Sequence, residues 1–242
     1  STASQCIKNT SGVLKRWLKN LMPGTCIALE STGSYHELLA RLAHQAGLTV
    51  YLLNPRDVRH YANALGKRAK TDHVDALLLA RFIAHEHAEL HPWQPPTPAQ
   101  QHLDALLKRR ATLVKAQGMM RQTLEHLSAL EAESATAMAA LSALIGAIDR
   151  EIERALAAQA VIQNKTVCVR SIPGIGLLSG AALVNLFSRL PSARADAIVA
   201  ATGLDPRPCD SGKKRGTRRL SKRGPSELRR LLFNAAMSAA KT

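Results

Sequence analysis

The sequence predicts a chain of the α/β plus α class: an α/β unit, a helical hairpin and a mainly helical, strongly basic region. Three observations support this. Two short apolar segments flank an amphipathic helix near the start. A long stretch rich in Ala, Leu, Glu and Arg follows. Aromatic residues make up only 3% of the chain, which favours a helical core of Leu, Ala, Ile and Val.

The α/β unit is predicted from a strand, a helix and a second strand. Thr25–Leu29 and Thr49–Leu53 are short apolar segments suited to buried strands. Between them, Ser34–Glu37 has the capping-box pattern, and apolar residues recur at helical spacing up to Gly47. Such a connection joins parallel strands, so the two should pair in parallel. A further helix is expected over about Asp72–His87.

Two helical regions are predicted to follow a proline-rich linker at His91–Pro98. We expect domains at residues 1–97, 98–165 and 166–242, the second forming a helical hairpin that bends at Ser128–Thr136. Its large apolar residues alternate steps of three and four, as in a coiled-coil seam: Met120, Leu124, Leu127, Met138, Leu141, Ile145, Ile148 and Ile152. The seam could pack within its own domain or mediate self-association.

The composition points to a polyanionic partner. The formal net charge is +15 over 242 residues, which favours nucleic acid. No apolar run approaches the roughly 20 residues of a membrane-spanning helix. The four cysteines lack zinc-site spacing and are expected to be free thiols in a reducing cytoplasm. Two acids oppose ten basic residues near the end: Arg207, Lys213, Lys214, Arg215, Arg218, Arg219, Lys222, Arg223, Arg229 and Arg230.

Three acids are candidate metal ligands. Glu30 follows an apolar strand, where ligands of open α/β sheets bind, although alone it is better explained as an exposed strand-end acid. Asp72 and Asp75 share one face at the start of a helix, where paired carboxylates could hold a cation. Acids in a first turn are also explained by capping and by the helix dipole. The basic residues just upstream favour a phosphate-binding site: Lys67, Arg68 and Lys70.

Two loops are candidate nucleic-acid contacts. Pro173-Gly174-Ile175-Gly176 precedes an apolar helix at about Leu178–Leu186, and its backbone amides could cradle a phosphate as in a helix-hairpin-helix motif. A tight turn between helices is the simpler alternative. Ser211 lies in the basic segment beside Gly212 and could attack a phosphodiester. From spacing alone, an ordinary loop serine is favoured.

Together these motifs resemble the DEDD family of insertion-sequence transposases, the IS-one-ten type, which includes the pilin-gene invertases. Three segments resemble the RuvC-like (RNase H-like) domain of this family: Ala28–His36, Asn54-Pro55 and Lys70–Ala76. Five further segments resemble the C-terminal transposase domain of the family: Ser171–Gly176, Gly203–Pro206, Ser211-Gly212, Ser221–Gly224 and Leu228-Arg229. The motifs occur in the family's order along nearly the whole chain.

The resemblance implies an RNA-guided, site-specific DNA transposase or recombinase. Glu30, Asp72 and Asp75 would match three acids of a tetrad that binds a divalent metal, Mg²⁺. Ser211 would match a serine that forms a covalent link to DNA. The implied partners are DNA, a structured non-coding (bridge) RNA and further copies in a dimer or tetramer. The implied location is the bacterial cytoplasm, at the nucleoid.

One feature departs from the family pattern. The tetrad's first Asp belongs on an N-terminal strand, but no Asp precedes Asp57, and Ser1 begins a segment that resembles the part after that strand. The tetrad is therefore expected to be incomplete and catalysis by this chain to be impaired. Two alternatives stay open: a RuvC-type, structure-selective nuclease that uses water, and a non-catalytic nucleic-acid-binding scaffold.

Overall fold

The structure is a computed structural model that describes residues 5–66, 71–190, 193–208, 210–212 and 216–241. It is mostly helical, with a small parallel sheet. Internal contacts divide the chain into two compact units, Ser1–Pro95 and Pro96–Thr242. Among the described residues, no helix combines the length and the apolar character needed to cross a membrane.

The first unit is a βαβ arrangement with additional helices. Its strands β1 (Cys26–Glu30) and β2 (Thr49–Leu53) pair in parallel, in register from Cys26↔Thr49 to Glu30↔Leu53. This confirms the predicted parallel pair, with the first strand one residue later than expected. The helices are α1 (Ser11–Leu18), α2 (Tyr35–Gln45), α3 (Pro55–Ala64) and α4 (Asp72–Glu86).

Alternating strand residues face two separate clusters, because successive side chains of a strand point to opposite faces. Ile27 and Val50 pack with α1 and α2, in a cluster that includes Leu14, Leu18, Ala40 and Ala43. Ala28 and Leu53 pack on the other face with α3 and α4, in a cluster that includes Val58, Leu78 and Phe82. The sheet is thus covered by helices on both faces.

The predicted capping box at Ser34–Glu37 is wrong. Ser34 is the N-cap of α2 but makes no side-chain capping bond. Its φ of −102° and ψ of 0° differ from the extended backbone that aims a capping hydroxyl at the helix amides. Gly47 does take the left-handed conformation predicted for it, with φ of +77°.

The second unit contains the hairpin and the basic region. Its helices are α5 (Pro98–Leu124), α6 (Glu131–Ala157), α7 (Ala160–Arg170), α8 (Leu177–Arg189), α9 (Ala195–Thr202) and α10 (Ser226–Ala239), and its strands are β3 (Pro206–Arg207) and β4 (Arg219–Leu220). The hairpin bend lies at residues 125–130, earlier than the predicted Ser128–Thr136. Residues from Glu131 onward are helical because Glu131 and Glu133 in the first turn favour a helix start.

The hairpin shares its core with the helices that follow it. Leu103, Leu106, Ile152 and Leu156 pack with Val169, Ala181 and Val184 of α7 and α8. The seam residues Ile148 and Ile152 therefore pack within the unit, as one of the two predicted possibilities requires. At the bend, Leu127 is 46% exposed, and self-association through that end stays a prediction.

A bidentate ion pair joins the two long helices of the hairpin. Arg110 Nε and Nη2 lie 2.5 Å and 3.1 Å from the two carboxylate oxygens of Asp149. Their side chains are 17% and 29% exposed. We expect Arg110→Met to lower the free energy of unfolding by about 1–2 kcal/mol, because Asp149 would lose both donors in a half-buried position. Urea unfolding measures this loss.

The neighbouring Arg109 provides the control. It is exposed and forms no ion pair with any described residue. Arg109→Met should change the unfolding free energy by less than about 0.5 kcal/mol. Equal losses in the two variants would show that the ion pair contributes nothing.

Candidate functional site

Glu30 ends β1 at the edge of the sheet. The side chain is half-buried, and its Oε1 accepts a hydrogen bond from Thr32 Oγ1 at 2.5 Å. Ser31 fixes the turn that follows, because its amide and its hydroxyl both donate to the carbonyl oxygen of Leu53, at 3.0 Å and 3.1 Å. The carboxylate therefore has a defined position. Thr32 was not singled out in the sequence, although it lies in the Ala28–His36 segment that resembles the family.

Asp72 and Asp75 lie in the first turn of α4, as predicted. Thr71 is the N-cap, and its hydroxyl accepts from the Val74 amide at 3.3 Å. Asp75 is half-buried and precedes Leu78 by one turn, on the helix face that packs on the sheet. Asp72 is exposed. The capping explanation thus applies to Thr71, and both aspartates keep carboxylates that do not cap this helix.

The three acids do not form a metal site by themselves. Among the described residues, which include all three, no group of three or more His, Cys, Asp or Glu side chains is close enough to hold an ion. Their carboxylate oxygens are of the type that Mg²⁺ prefers, but Mg²⁺ often uses only one or two protein carboxylates together with substrate phosphates. The carboxylate oxygens of these acids are suitable ligands for Mg²⁺. The described residues do not, however, bring three such ligands together at one place. Lys67, Arg68 and Lys70 lie outside the described residues.

Ser211 lies in the loop of a short β-hairpin. β3 and β4 are antiparallel, with Pro206↔Leu220 and Arg207↔Arg219 as partners. Ser211 is exposed, and Gly212 beside it has φ of +56°. A carboxylate braces this loop: Asp210 accepts from the Gly216 amide at 3.1 Å and from Arg218 Nη2 at 3.3 Å. The serine hydroxyl is thus presented to solvent by a loop with an internal brace.

The base of the hairpin is held to the end of α9. The Ser221 amide donates to the carbonyl oxygen of Asp205, and the Lys222 amide donates to that of Gly203, both at 3.0 Å. The buried Ser221 hydroxyl donates to the Asp205 carboxylate. A Cβ on Gly224 would lie 2.3 Å from the carbonyl oxygen of Ala201, so only glycine fits there. This packing is why the Gly203–Pro206 and Ser221–Gly224 motifs occur together.

Asp205 and Asp210 are functional candidates that sequence reasoning missed. Asp205 is within a motif that carried the family resemblance, so its presence there was a usable signal. Asp210 was counted only as one of two acids opposing the basic cluster. Its brace depends on Gly216 and Arg218, which local sequence patterns do not connect with it.

The basic cluster is largely exposed, and some of its residues have partners within the protein. Arg229 is half-buried and donates to the carbonyl oxygen of Gly224. Arg230 donates to both carboxylate oxygens of Glu227, and this hydrogen bonding raises the pKa of Arg230. Both therefore have internal partners. The described cluster residues that are exposed are Arg207, Arg218, Arg219, Lys222, Arg223 and Arg230, of which Arg218 pairs with Asp210, whereas Lys213, Lys214 and Arg215 lie outside the described residues.

The Pro-Gly-Ile-Gly turn uses its glycines for packing and capping. Gly174 has φ of +83°, and a Cβ there would lie 2.2 Å from the carbonyl oxygen of Ala235 in α10. The Ile175 amide donates to the Ile172 carbonyl oxygen at 3.1 Å, and the Gly176 amide donates to Ser179 Oγ at 3.0 Å. Two amides of the expected phosphate cradle thus have internal acceptors, which favours the alternative of a tight turn between helices.

Comparison with known proteins identifies the family. The family model for DEDD transposases of the IS110 type, described as a transposase, matches residues 2–145, and the transposase IS116/IS110/IS902 family model matches residues 167–242. The pilin gene-inverting proteins of Moraxella bovis and Moraxella lacunata are each 34% identical to the chain over 152 residues. That match covers 62% of the chain and 46% of each relative, so it spans about half the length of these curated relatives. The resemblance seen in the motifs is confirmed, and the chain belongs to the IS110 family of DEDD transposases.

Proposed function

We propose that this protein is a DNA transposase or recombinase in which Ser211 cuts and rejoins DNA by phosphoryl transfer. The observation that carries the proposal is the exposed Ser211 hydroxyl on the loop that Asp210 braces, within an arginine-rich hairpin. A nucleophile that attacks a duplex must reach the phosphate from the protein surface, and cations nearby must offset the charge that develops on it. Family membership supplies the reaction class.

The proposed chemistry is a reversible exchange of phosphodiester bonds. Ser211 Oγ loses its proton and attacks the phosphorus, so that a serine–phosphate bond forms while one DNA ester bond breaks. The departing DNA oxygen takes up a proton. A second DNA hydroxyl then attacks the same phosphorus and releases the serine. Arg219, exposed on the hairpin, would stabilise the phosphate oxygens, while Arg218 keeps its ion pair with Asp210.

Trapping the covalent intermediate tests this proposal. End-labelled substrate DNA is incubated with the protein, which is then denatured and digested. Label is expected on the peptide that contains Ser211, and the linkage should resist reducing agents. Efficient strand exchange without any labelled peptide would remove the serine from the reaction.

We also propose that base pairing with a bridge RNA selects the DNA sites. The surface arginines and lysines suit backbone contacts, and the 3% aromatic content offers few platforms on which bases could stack. A protein that holds backbones while RNA reads sequence needs no base-reading element. A matching change of the RNA guide loop and the DNA target should therefore preserve recombination, whereas either change alone should abolish it.

We propose that Mg²⁺ binds at Glu30 and Asp75 only together with DNA phosphates. The support is that both residues are half-buried, that Glu30 ends β1 and that α4, which carries Asp75, packs on the same sheet, while no group of three such ligands is present in the described part of the chain. The bound ion would supply charge stabilisation at the attacked phosphate.

Mn²⁺ serves as a paramagnetic substitute for Mg²⁺, and the signal of the free ion measures its binding. The protein is expected to bind Mn²⁺ at least about tenfold more tightly with duplex DNA than without it. Asp75→Asn should abolish this DNA-dependent gain in Mn²⁺ affinity, because the neutral amide is a weaker ligand for the ion. Glu133→Gln, at an exposed acid of the hairpin, is the control and should retain it. Equal affinities with and without DNA would contradict the shared site.

A second candidate, a nucleic-acid-binding scaffold without catalysis, is favoured by the absence of a gathered acid group in the described part of the chain. It predicts DNA binding that chelators and Asp75→Asn leave unchanged, together with no covalent adduct. A nuclease that uses water would instead cut DNA in the Ser211→Ala variant.

A further inference from the structure

The charged residues on the outer face of α1 are all basic. No acidic residue precedes Glu30, whereas four basic residues do: Lys8, Lys15, Arg16 and Lys19. Leu14 and Leu18 are buried on the inner face of the helix, against α2. Its outward positions are consequently taken by Lys15, Arg16 and Lys19, all exposed. We call these three residues the α1 basic face.

Some exposed cations of the second unit are paired with acids of their own helix, as in Lys108 with Asp104 and Arg154 with Glu151, whereas others such as Arg109 have no ion pair with a described residue. The α1 basic face forms no ion pair with any described residue. Lys15 and Lys19 are four residues apart, a spacing at which like charges repel each other. The dipole of the helix favours cations in its last turn, but it does not account for the exclusion of every acid from this part of the chain.

We propose that the α1 basic face binds the phosphate backbone of duplex DNA, as a contact region additional to the Ser211 hairpin. Duplex DNA carries one charge per about 1.7 Å of its axis, so that a single helical turn, about 5.4 Å long, can face several phosphates. Contacts of lysine and arginine with phosphates provide attraction without sequence choice. The identity of the partner rests on the proposed function. It is DNA because the chain belongs to a transposase family, and an RNA duplex serves as the comparison in the test.

Salt dependence of binding tests this. The full chain carrying K15Q, R16Q and K19Q is titrated with a labelled DNA duplex and an RNA duplex of the same sequence, over a range of salt concentrations. Three lost phosphate contacts should reduce the slope of log K against log salt by about 3. Glutamine retains good helix propensity, and circular dichroism checks the fold. K15R with K19R keeps the charges and should keep the wild-type slope.

A matched control removes the same charge elsewhere. K108Q, R154Q and R194Q together also change the net charge by three, at exposed residues that have acidic partners. This control should change the slope by less than about 1, because its cations are already neutralised locally. A reduced slope with the RNA duplex but not with the DNA duplex would overturn the assignment of this face to DNA.

Equal slopes for the two triple variants on both duplexes would overturn the proposal. Failure of the proposed function is seen separately, in the adduct assay. The α1 basic face variants keep Ser211 and should still form the serine adduct at low salt. Ser211→Ala should keep the full salt slope.

Discussion

Replacing Ser211 by Ala is expected to reduce recombination by a factor on the order of 10³ or more, because the group that forms the covalent link is lost. DNA binding should change less than about twofold, since the exposed hydroxyl makes no contact on which the described hairpin depends. The measurements are strand exchange on substrate DNA and, separately, binding to the same DNA at fixed salt. Loss of catalysis without loss of binding assigns the hydroxyl to the chemical step.

The control for this change is a second exposed hydroxyl in the same hairpin. Thr217→Ala should leave both recombination and binding near the wild-type values. Ser221 is unsuitable as a control, because its buried hydroxyl bonds to Asp205 and supports the hairpin base. If Ser211→Ala recombined DNA at a rate close to that of Thr217→Ala, the nucleophile would have to be a different group.

Gly174→Ala is expected to destabilise the second unit by about 3–5 kcal/mol. Two penalties combine at this position: φ is +83°, and the new Cβ would lie 2.2 Å from the Ala235 carbonyl oxygen and 2.9 Å from the Ala239 amide nitrogen. All of these atoms belong to backbone, so relief requires α10 to move away from the turn. Thermal unfolding should show a decrease in melting temperature of about 10 °C or more.

Gly176 supplies the matched control in the same turn. Its φ is −89°, and a Cβ there would meet nothing within 4 Å. Gly176→Ala should therefore change stability by less than about 1 kcal/mol. A phosphate cradle would predict another pattern, in which both variants weaken DNA binding while folding is unchanged. That result would contradict the packing role that we assign to Gly174.

These results connect local packing with the presentation of the serine. The end of α9, the Ser221–Gly224 segment and Arg229 at the start of α10 form one set of backbone contacts at the base of the hairpin. A change that moves α10 should therefore also disturb the loop that carries Ser211. We therefore expect Gly174 to affect catalysis indirectly, through the folding of the second unit.

Much of the fold followed from local patterns. Short continuous apolar segments placed β1 and β2 to within one residue, and the periodicity of the long Ala- and Leu-rich stretch placed the hairpin helices. Such patterns succeed because helix and strand periodicities are properties of adjacent residues. The capping box at Ser34 failed because the backbone angles of the N-cap, which residue types do not determine, point its hydroxyl away from the helix.

By itself, the sequence determined the order of β1, α2 and β2, the presence of the helical hairpin, the basic character of the chain and, through its motifs, the family. Only the tertiary structure decided how individual residues are used. It assigned Gly174 to contact with α10, Asp205 to the hairpin base and Asp210 to the loop of Ser211. The physical reason is that close packing and buried hydrogen bonds join residues that are distant in sequence, so their partners exist only when the chain is folded.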